Sequence, residues 1–266
     1  MSKEPLYIFK VGGGVLEDTK QTETFTKLFS RIPERKLIVH GGGKKATELS
    51  EQLGVKATII EGRRITNDDM LDVAVMVYAG LMNKTLVASL QAYDCNAMGL
   101  SGADGNLILA YKRAIKAGLD YGWAGDVDKV NTTLIHNLFG NKIVPVIASI
   151  THNKLGQLLN TNADTIAKEL AIALTDKYET HLIFAFEYPG VMRFLQDPES
   201  IIPEINLKSY HRLKEEKSIH SGMIPKLNNA FDAIDQGVES VRIGMYDRLD
   251  DLVTRKNGKF TYVSYK

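Results

Sequence analysis

Two short apolar runs in this chain each lead into three consecutive glycines, and this feature limits the possible folds more than any other. The runs cover residues 6–10 and 36–40, and the glycines are residues 12–14 and 41–43. Glycine lacks the Cβ atom that would keep an anion away from the main chain, so successive N–H groups at a strand-to-helix turn can converge on one phosphate. The two turns therefore predict two anion-binding loops, with ordinary tight turns as the alternative. Lys10 adds a cation beside the first loop.

Strand-like runs alternate with helix-like segments along most of the chain. This alternation is typical of βαβ units, whose strands run parallel. The predicted strands cover residues 6–11, 36–39, 143–148, 182–186 and 240–244, and the predicted helices cover residues 21–29, 44–53, 132–139, 162–174, 207–217 and 222–236. Residues 107–130 and a segment around 153–157 predict β-hairpins. We therefore expect an α/β fold with a mainly parallel sheet.

A long helix is predicted from Asp68 to about Tyr93, with Thr66 as its N-cap. Apolar residues recur along one face of this helix with helical spacing. They are Met70, Val73, Ala74, Val77, Leu81 and Leu86. This face predicts part of the core or a subunit interface.

Length and charge limit the organisation of the chain and its partners. A chain of 266 residues with 44% hydrophobic content can bury the core of one large domain or of two joined lobes. We expect lobes at residues 1–176 and 177–266, because the polar segment 176–180 precedes a new strand. The formal charge is only +1, so no overall field favours a nucleic acid or an anionic membrane as a partner.

The cysteine content and the first residues predict a cytoplasmic protein. Cys95 is the only cysteine, which excludes an internal disulfide and a zinc site with several cysteines. Residues 1–5 are polar and lead into the first strand without the apolar stretch of a secretion signal. Two of the most apolar segments, 143–150 and 182–186, are far shorter than the roughly 20 residues that span a bilayer, so we expect no membrane partner.

Five motifs follow one another in a specific order. They are Lys-Val-Gly-Gly at 10–13, His-Gly-Gly-Gly at 40–43, Gly-Arg-Arg-Ile-Thr at 62–66, Asn-Thr-Asn-Ala-Asp at 160–164 and Gly-Met-Ile-Pro-Lys at 222–226. In order and spacing, the chain resembles the amino acid kinase family, and within it the kinases of N-acylated glutamate. The resemblance extends from the first strand to Gly244 and includes residues 97–105. The phosphate loop G-x-x-x-x-G-K-[ST] is absent from the sequence, which argues against a P-loop kinase.

The resemblance implies a three-layer αβα sandwich that transfers the γ-phosphoryl group of ATP to the side-chain carboxylate of an N-acylglutamate. It implies ATP as the cofactor, with Mg²⁺ carried mainly by the nucleotide phosphates and no metal held by the protein alone. A carboxylate with a pKa of about 4.3 is already ionised at neutral pH, so this reaction needs no general base. Its difficulty is electrostatic, because an anion must approach a polyanion, and positioned cations and N–H donors are required.

The catalytic roles that the resemblance implies fall on five residues. Lys10 contacts the transferring phosphoryl group from the substrate side, and Lys226 contacts it from the nucleotide side. The carboxylate of Asp164 lies between the two ammonium groups and holds both. Gly13 and Gly42 supply backbone N–H donors.

Two of these motif positions also have structural interpretations. Thr161-x-x-Asp164 is a capping-box pattern, in which the acid only satisfies N–H groups at a helix start, and we expect Thr161 to cap that helix in either case. His40 precedes glycine at the end of a strand, and we interpret it as a packed, hydrogen-bonded histidine rather than a base.

The acceptor is expected to bind near the second glycine loop, at Gly42 and Gly43. Arg64 is our candidate for its α-carboxylate, because a guanidinium can grip a planar carboxylate with two hydrogen bonds. Asn160 can hold the acylated amide with both a donor and an acceptor. We interpret Arg63 as a surface salt-bridge residue.

The nucleotide is expected to bind at the first glycine loop and in the last third of the chain. The resemblance assigns it to Lys10, Gly12, Glu187, Gly190, His220, Ser221, Gly222 and Lys226. Kinases of this type have a Thr/Ser-Asp pair before a Val-Pro-Gly-like turn, whereas residues 186–190 read Phe-Glu-Tyr-Pro-Gly. The hydroxyl is absent and glutamate replaces aspartate, which leaves the adenine and ribose contacts open.

Several functional alternatives remain open at this point. An acetyl group is implied by resemblance alone, and Arg63 beside Arg64 leaves room for a second carboxylate, as in a succinyl group. A non-catalytic sensor is supported only by residues 186–187. A kinase for aspartate, carbamate or a nucleoside monophosphate is a further alternative. Chain length argues against an aspartate kinase with added regulatory domains, and residues 62–66 favour an acylglutamate pocket. We expect a homodimer built on the long helix. We also expect no inhibition by arginine, because the first strand begins near Leu6 and leaves no room for the extra helix that accompanies it in the family.

Overall fold

The computed structural model describes residues 3–60, 63–115, 118–216, 218–256 and 258–265. The strands are β1 Glu4–Val11, β2 Arg35–His40, β3 Thr58–Ile60, β4 Arg63–Ile65, β5 Ala97–Leu100, β6 Ile108–Lys112, β7 Ala124–Val130, β8 Val144–Ala148, β9 Ile150–His152, β10 Leu158–Thr161, β11 Tyr178–Phe186, β12 Glu204–Ile205, β13 Ser240–Met245 and β14 Thr261–Val263. The α-helices are α1 Gly13–Glu17, α2 Thr19–Arg31, α3 Gly43–Gln52, α4 Asp68–Ala74, α5 Asn83–Gln91, α6 Thr132–Gly140, α7 Ala163–Ala173, α8 Leu207–Glu215, α9 Ile224–Asp235 and α10 Leu249–Thr254. A π-helical segment, Val75–Met82, joins α4 to α5.

Eight strands form the central sheet in the order β12-β14-β13-β11-β1-β2-β8-β5. Every neighbouring pair is parallel except β13 and β14. Both faces are covered, because side chains of β1 alternate between two apolar clusters: Leu6 and Ile8 pack with residues of α7 and α9, whereas Tyr7 and Phe9 pack with residues of α2 and α5. The predicted three-layer αβα fold is confirmed.

A small closed barrel and a hairpin stand beside the sheet. The barrel has the order β10-β7-β6-β9, and β3 pairs with β4. The two predicted hairpins are confirmed, since β6 pairs antiparallel with β7 and β9 pairs antiparallel with β10. The barrel ends in β10, which leads directly into α7.

The long helix departs from prediction in two ways. Asn67, not Thr66, is the N-cap, because its side chain accepts the N–H of Met70. The Thr66 hydroxyl instead donates to the carbonyl of Arg64. Leu81 was predicted on the buried face but is 55% exposed. The π-helical turns change the direction in which the following side chains point compared with a regular α-helix. An analysis of apolar residues with a period of 3.6 residues does not detect this change.

The same helix also meets a membrane-span criterion by length and composition. Residues 68–91 have a mean hydropathy of 1.5 in their most apolar window, and 44% of that window is buried inside the protein. Core helices of water-soluble folds meet this criterion too, and α5 packs against α2 and β5. Cys95, just beyond the helix, is buried and free.

The start of α7 also differs from prediction in its cap. Asn162 caps the helix by accepting the N–H of Thr165. The hydroxyl of Thr161 is engaged instead with that of Thr151, at 2.7 Å. The division into lobes at 176/177 stays a prediction, and β1 and β11, from the two sides of that division, pair within one sheet.

Candidate functional site

Three charged side chains meet at the carboxyl end of the sheet. Lys10 Nζ lies 2.8 Å from Oδ1 of Asp164, and Lys226 Nζ lies 2.6 Å from Oδ2 of the same carboxylate. Lys10 comes from the end of β1, Asp164 from the first turn of α7 and Lys226 from the first turn of α9. We call this group the three-charge cluster. It places one carboxylate between two ammonium groups, as the resemblance implied.

Burial and charge act in opposite directions within the cluster. Burial opposes the ionised form of Asp164, but Lys10 and Lys226 outweigh it and hold the pKa of that carboxyl well below its usual range. Burial lowers the pKa of Lys10, with a further lowering by Lys226 and an opposing effect of Asp164. Asp164 is therefore a permanent anion at neutral pH.

A second ion pair joins the two helices that carry the cluster. Lys168, one turn after Asp164 on α7, binds Asp232 of α9 and also contacts Glu169 at 2.7 Å. Sequence patterns did not identify this pair, because each partner alone looks like an ordinary helix-surface charge. Together the two ion pairs set the position of α9, and thus of Lys226, relative to α7.

A cavity of about 190 Å³ opens next to the cluster at the second glycine loop. Its lining includes the predicted acceptor residues Gly42, Gly43, Arg64 and Asn160, together with Arg63. A Cβ atom on Gly42 would lie 2.2 Å from Sδ of Met82 and 3.0 Å from the ring of Tyr78 on the long helix, so a larger residue here would have to displace these side chains. The predicted acceptor-binding residues therefore share one cavity.

The Arg64 side chain is buried and is held by neutral groups. Its Nη2 donates to the carbonyl of Gly43 at 2.7 Å and to Oγ1 of Thr47 at 2.7 Å. Asn160 is positioned in a similar way, since its Nδ2 donates to Oγ1 of Thr66 at 3.1 Å. These hydrogen bonds orient the guanidinium and the amide while leaving the charge of Arg64 without a described acidic partner.

Arg63 was predicted to form a surface salt bridge, and this prediction is wrong. The residue lines the same cavity, and no described carboxylate lies within ion-pair distance of it. Burial lowers the pKa of its guanidinium, and the nearby charge of Arg113 acts in the same direction. Arg113 itself is paired with Asp126 at 2.9 Å. Gly62, the first residue of this motif, lies outside the described residues.

The predicted nucleotide residues lie in three places. Gly12, Gly13 and Lys10 form the first glycine loop and the strand before it, and the Glu187 side chain lies on that loop. Gly190 instead packs against β14, because a Cβ atom there would lie 2.7 Å from Oγ1 of Thr261.

The remaining nucleotide residues form the approach to α9. His220 accepts the N–H of Gly222 at 3.2 Å, and a 3₁₀ turn, Ser221–Met223, leads into the helix. The side chain of Ser221 lies outside the described part of the structure. These residues precede Lys226 at the start of α9, and their contact with the nucleotide stays a prediction.

His40 is a packed histidine, as predicted. It is fully buried, its Nε2 accepts from Nδ2 of Asn83 at 3.0 Å and its Nδ1 lies 2.9 Å from the carbonyl of Gly41. An amide nitrogen is only a donor, so the network assigns the proton to Nδ1. Burial lowers the pKa of His40 to about 4, which keeps the ring neutral.

Comparisons with known proteins show which family and fold the chain is similar to. A model of the amino acid kinase family matches residues 5–244. Acetylglutamate kinase of Cytophaga hutchinsonii is 47% identical, over 94% of this chain and 95% of the relative. Acetylglutamate kinase of Bacteroides fragilis is 46% identical, over 91% of this chain and 92% of the relative. The solved structure of Giardia carbamate kinase has the same fold, with a TM-score of 0.68 at 12% identity and coverage of 100% of both chains.

Proposed function

Since this chain belongs to the amino acid kinase family, we propose that it is an acetylglutamate kinase of arginine biosynthesis. It transfers the γ-phosphoryl group of ATP to the γ-carboxylate of N-acetyl-L-glutamate. The observation that carries this proposal is the three-charge cluster, whose Asp164 directly follows Ala163 in the lining of a cavity that also contains the buried, oriented Arg64. The names of the curated relatives support the same activity.

In this function, the cavity holds the acceptor and the first glycine loop holds the nucleotide. Arg64 binds the α-carboxylate of the acceptor, and Asn160 binds the acylated amide. Lys10 contacts the transferring group from the acceptor side, and Lys226 contacts it from the nucleotide side, with Asp164 fixing both ammonium groups. The charge that spreads over the phosphoryl oxygens is then stabilised by groups already in position, which is the main requirement of phosphoryl transfer.

The backbone completes this arrangement, and a divalent ion on the nucleotide supplements it. N–H groups of Gly13 and Gly42 donate to the phosphates and to the acceptor side. Mg²⁺ on ATP neutralises phosphate charge when it is bound. The described residues contain no group of three or more His, Cys, Asp or Glu side chains that could hold a metal ion. We propose that the phosphates carry most of the coordination of this ion, with Glu187 as the carboxylate nearest to the first glycine loop.

A hydroxylamine trap tests the proposed reaction directly. The enzyme is incubated with ATP, Mg²⁺ and hydroxylamine, and the hydroxamate formed from the acyl phosphate is measured with N-acetylglutamate, N-succinylglutamate and free glutamate. We expect rapid trapping with an N-acylated acceptor and little with free glutamate. Equal rates with all three acceptors would contradict the assignment of the cavity.

A second candidate, an N-succinylglutamate kinase, is favoured by one observation. Arg63 lines the acceptor cavity without a described acidic partner, so it can bind a carboxylate on the acyl group. Replacing Arg63→Gln separates the two candidates. If the enzyme uses N-succinylglutamate, this substitution raises the KM for N-succinylglutamate about tenfold or more, the scale of a hydrogen bond to a charged group. If it uses N-acetylglutamate, the KM for N-acetylglutamate stays unchanged.

The assembly and lobe roles complete the proposal. Residues 1–176 bind the acylglutamate and form the dimer, and residues 177–266 bind ATP, in a cytoplasmic homodimer. The exposed side chains of Met76 and Leu81 on the long helix, 50% and 55% accessible, support this interface. Solution scattering tests it: a dimer is expected, a Leu81→Glu variant should be monomeric, and a hexamer would contradict it.

A further inference from the structure

The side chain of Glu187 occupies space that the first glycine loop leaves open. Glu187 follows the last residue of β11, the strand next to β1 in the sheet. Its Oε1 lies only 1.6 Å from the position that a Cβ atom on Gly14 would take, and its Oε2 lies 3.4 Å from that position on Gly12. A carboxylate therefore lies against the main chain at the place where glycine allows an anion to approach.

The carboxylate of Glu187 has both a positive and a negative side chain in its surroundings. Among the described residues, no side chain forms an ion pair or hydrogen bond with it. Charge interactions link it to the ammonium group of Lys10, which attracts it, and to the carboxylate of Glu17, which repels it. Glu187 thus places a carboxylate beside the loop, and no described side chain pairs with it.

We propose that Glu187 acts as an internal anion on the first glycine loop, so that this loop accepts nucleotide phosphates carrying a divalent cation and rejects free nucleotide phosphates. The proposal rests on the proposed function, because it takes this loop to be the phosphate site of an ATP-dependent enzyme. It makes Glu187 a residue that determines the charge state of the bound nucleotide.

The physical basis is the balance between like and unlike charges at short range. A free polyphosphate must displace the carboxylate or lie beside it, and both outcomes are costly in a partly buried site. A polyphosphate that carries Mg²⁺ presents a cation to the same carboxylate, and carboxylate oxygens are ligands that Mg²⁺ prefers. The same side chain thus opposes one form of the nucleotide and favours the other.

The proposal also gives a reason for a residue that differs from the family pattern. An aspartate at this position is shorter by one methylene group, whereas the glutamate side chain reaches Gly14. Glu187→Asp should therefore weaken the effect, and Glu187→Gln, which keeps the length and removes the charge, should abolish it.

Calorimetric binding of ADP tests this inference without any measurement of turnover. Affinities are measured for the wild-type protein, Glu187→Gln and Glu187→Asp, each with excess Mg²⁺ and with EDTA. Glu204→Gln, at an exposed acid of β12, serves as the control for net charge. We expect Glu187→Gln to bind ADP about tenfold more tightly than the wild type in EDTA, the scale of removing one nearby like charge. With Mg²⁺ this advantage should disappear or reverse.

Each outcome decides the inference. The inference is overturned if the ratio of the ADP affinity with Mg²⁺ to that in EDTA is the same in Glu187→Gln as in the wild type. It is also overturned if Glu204→Gln changes this ratio as much as Glu187→Gln does. Both results leave the proposed function intact. A wild-type protein that binds no ADP even with Mg²⁺ would overturn the proposed function and this inference together. Pyrophosphate, as a second probe, should also bind Glu187→Gln more tightly than the wild type in EDTA, because the effect concerns the phosphates and not the base.

Discussion

The two positively charged regions of the site differ in whether a carboxylate of the protein pairs with their charges. In the three-charge cluster, Lys10 and Lys226 share the carboxylate of Asp164 at 2.8 and 2.6 Å. In the acceptor cavity, Arg64 is bonded to a carbonyl and a hydroxyl, and Arg63 has no described acidic partner. One region compensates its charges within the protein, and the other leaves them for a ligand.

This difference separates the two tasks of the site. A buried cation loses hydration, and that loss must be offset by a partner. The cluster has its partner in the free protein, so its ammonium groups are rigid before any substrate binds, as catalysis of phosphoryl transfer requires. Under the proposed function, the charges of the cavity arginines are completed by the carboxylate of the acceptor, so these arginines are expected to contribute to affinity and to the choice of acceptor.

The largest expected effect is on turnover when one cation of the cluster is removed. Lys226→Ala should lower kcat about 10²-fold to 10³-fold, the scale for losing one preorganised donor. Steady-state kinetics with saturating N-acylglutamate and ATP measure it. Lys44→Ala is the matched control, because the Lys44 side chain is 75% exposed. If both variants kept the wild-type kcat, the mechanism would be wrong.

A smaller effect, and on a different constant, is expected in the cavity. Arg64→Ala should raise KM for the acceptor about 10-fold to 100-fold, since a charged hydrogen-bonding group for its α-carboxylate is lost. The value of kcat should change much less. Arg35→Ala, which removes a surface arginine paired with Glu4, provides the comparison. A loss confined to kcat would remove the distinction between the two regions.

The next effect concerns the pH dependence of stability, because the neutral side chain of His40 is buried next to the second glycine loop. The folded protein holds the pKa of His40 at about 4, below the 6.5 of an exposed histidine. The unfolded chain therefore binds the proton more readily, and stability falls as the pH decreases from about 6.5 towards 4. Between pH 8 and pH 5 this contribution is about 2 kcal/mol. Urea unfolding of the wild type and His40→Gln should differ in this dependence, and identical pH profiles would contradict it.

The smallest effect concerns the alkaline limit of activity. Burial lowers the pKa of Lys10. As the pH rises, Lys10 should therefore lose its proton, and the enzyme its kcat, at a lower pH than that at which a free lysine titrates. Asp164 holds Lys10 in the charged form, and Asp164→Asn should move this limit down by about one pH unit. Lys10→Arg should move it upward, because a guanidinium stays protonated. A limit that is the same in all three proteins would exclude Lys10 as its origin.

Local sequence predicted most of the fold. The runs before the glycines became β1 and β2, and the glycines begin α1 and α3. Predictions failed where two adjacent residues could take the same role. Thr66 and Asn67 can both cap a helix, and the path of the backbone into the helix decides which of them does so. The exposure of Leu81 was missed because a π-helical segment changes the helical period.

Patterns of neighbouring residues thus determined the strands, the helices and the two glycine loops, because those depend on interactions over a few residues. The tertiary structure decided which distant charges meet. It placed Asp164 between Lys10 and Lys226, brought Arg63 into the cavity and laid Glu187 on Gly14. Whether a charge is paired or left free depends on the distances between elements far apart in the chain, and packing of the sheet and its helices sets those distances.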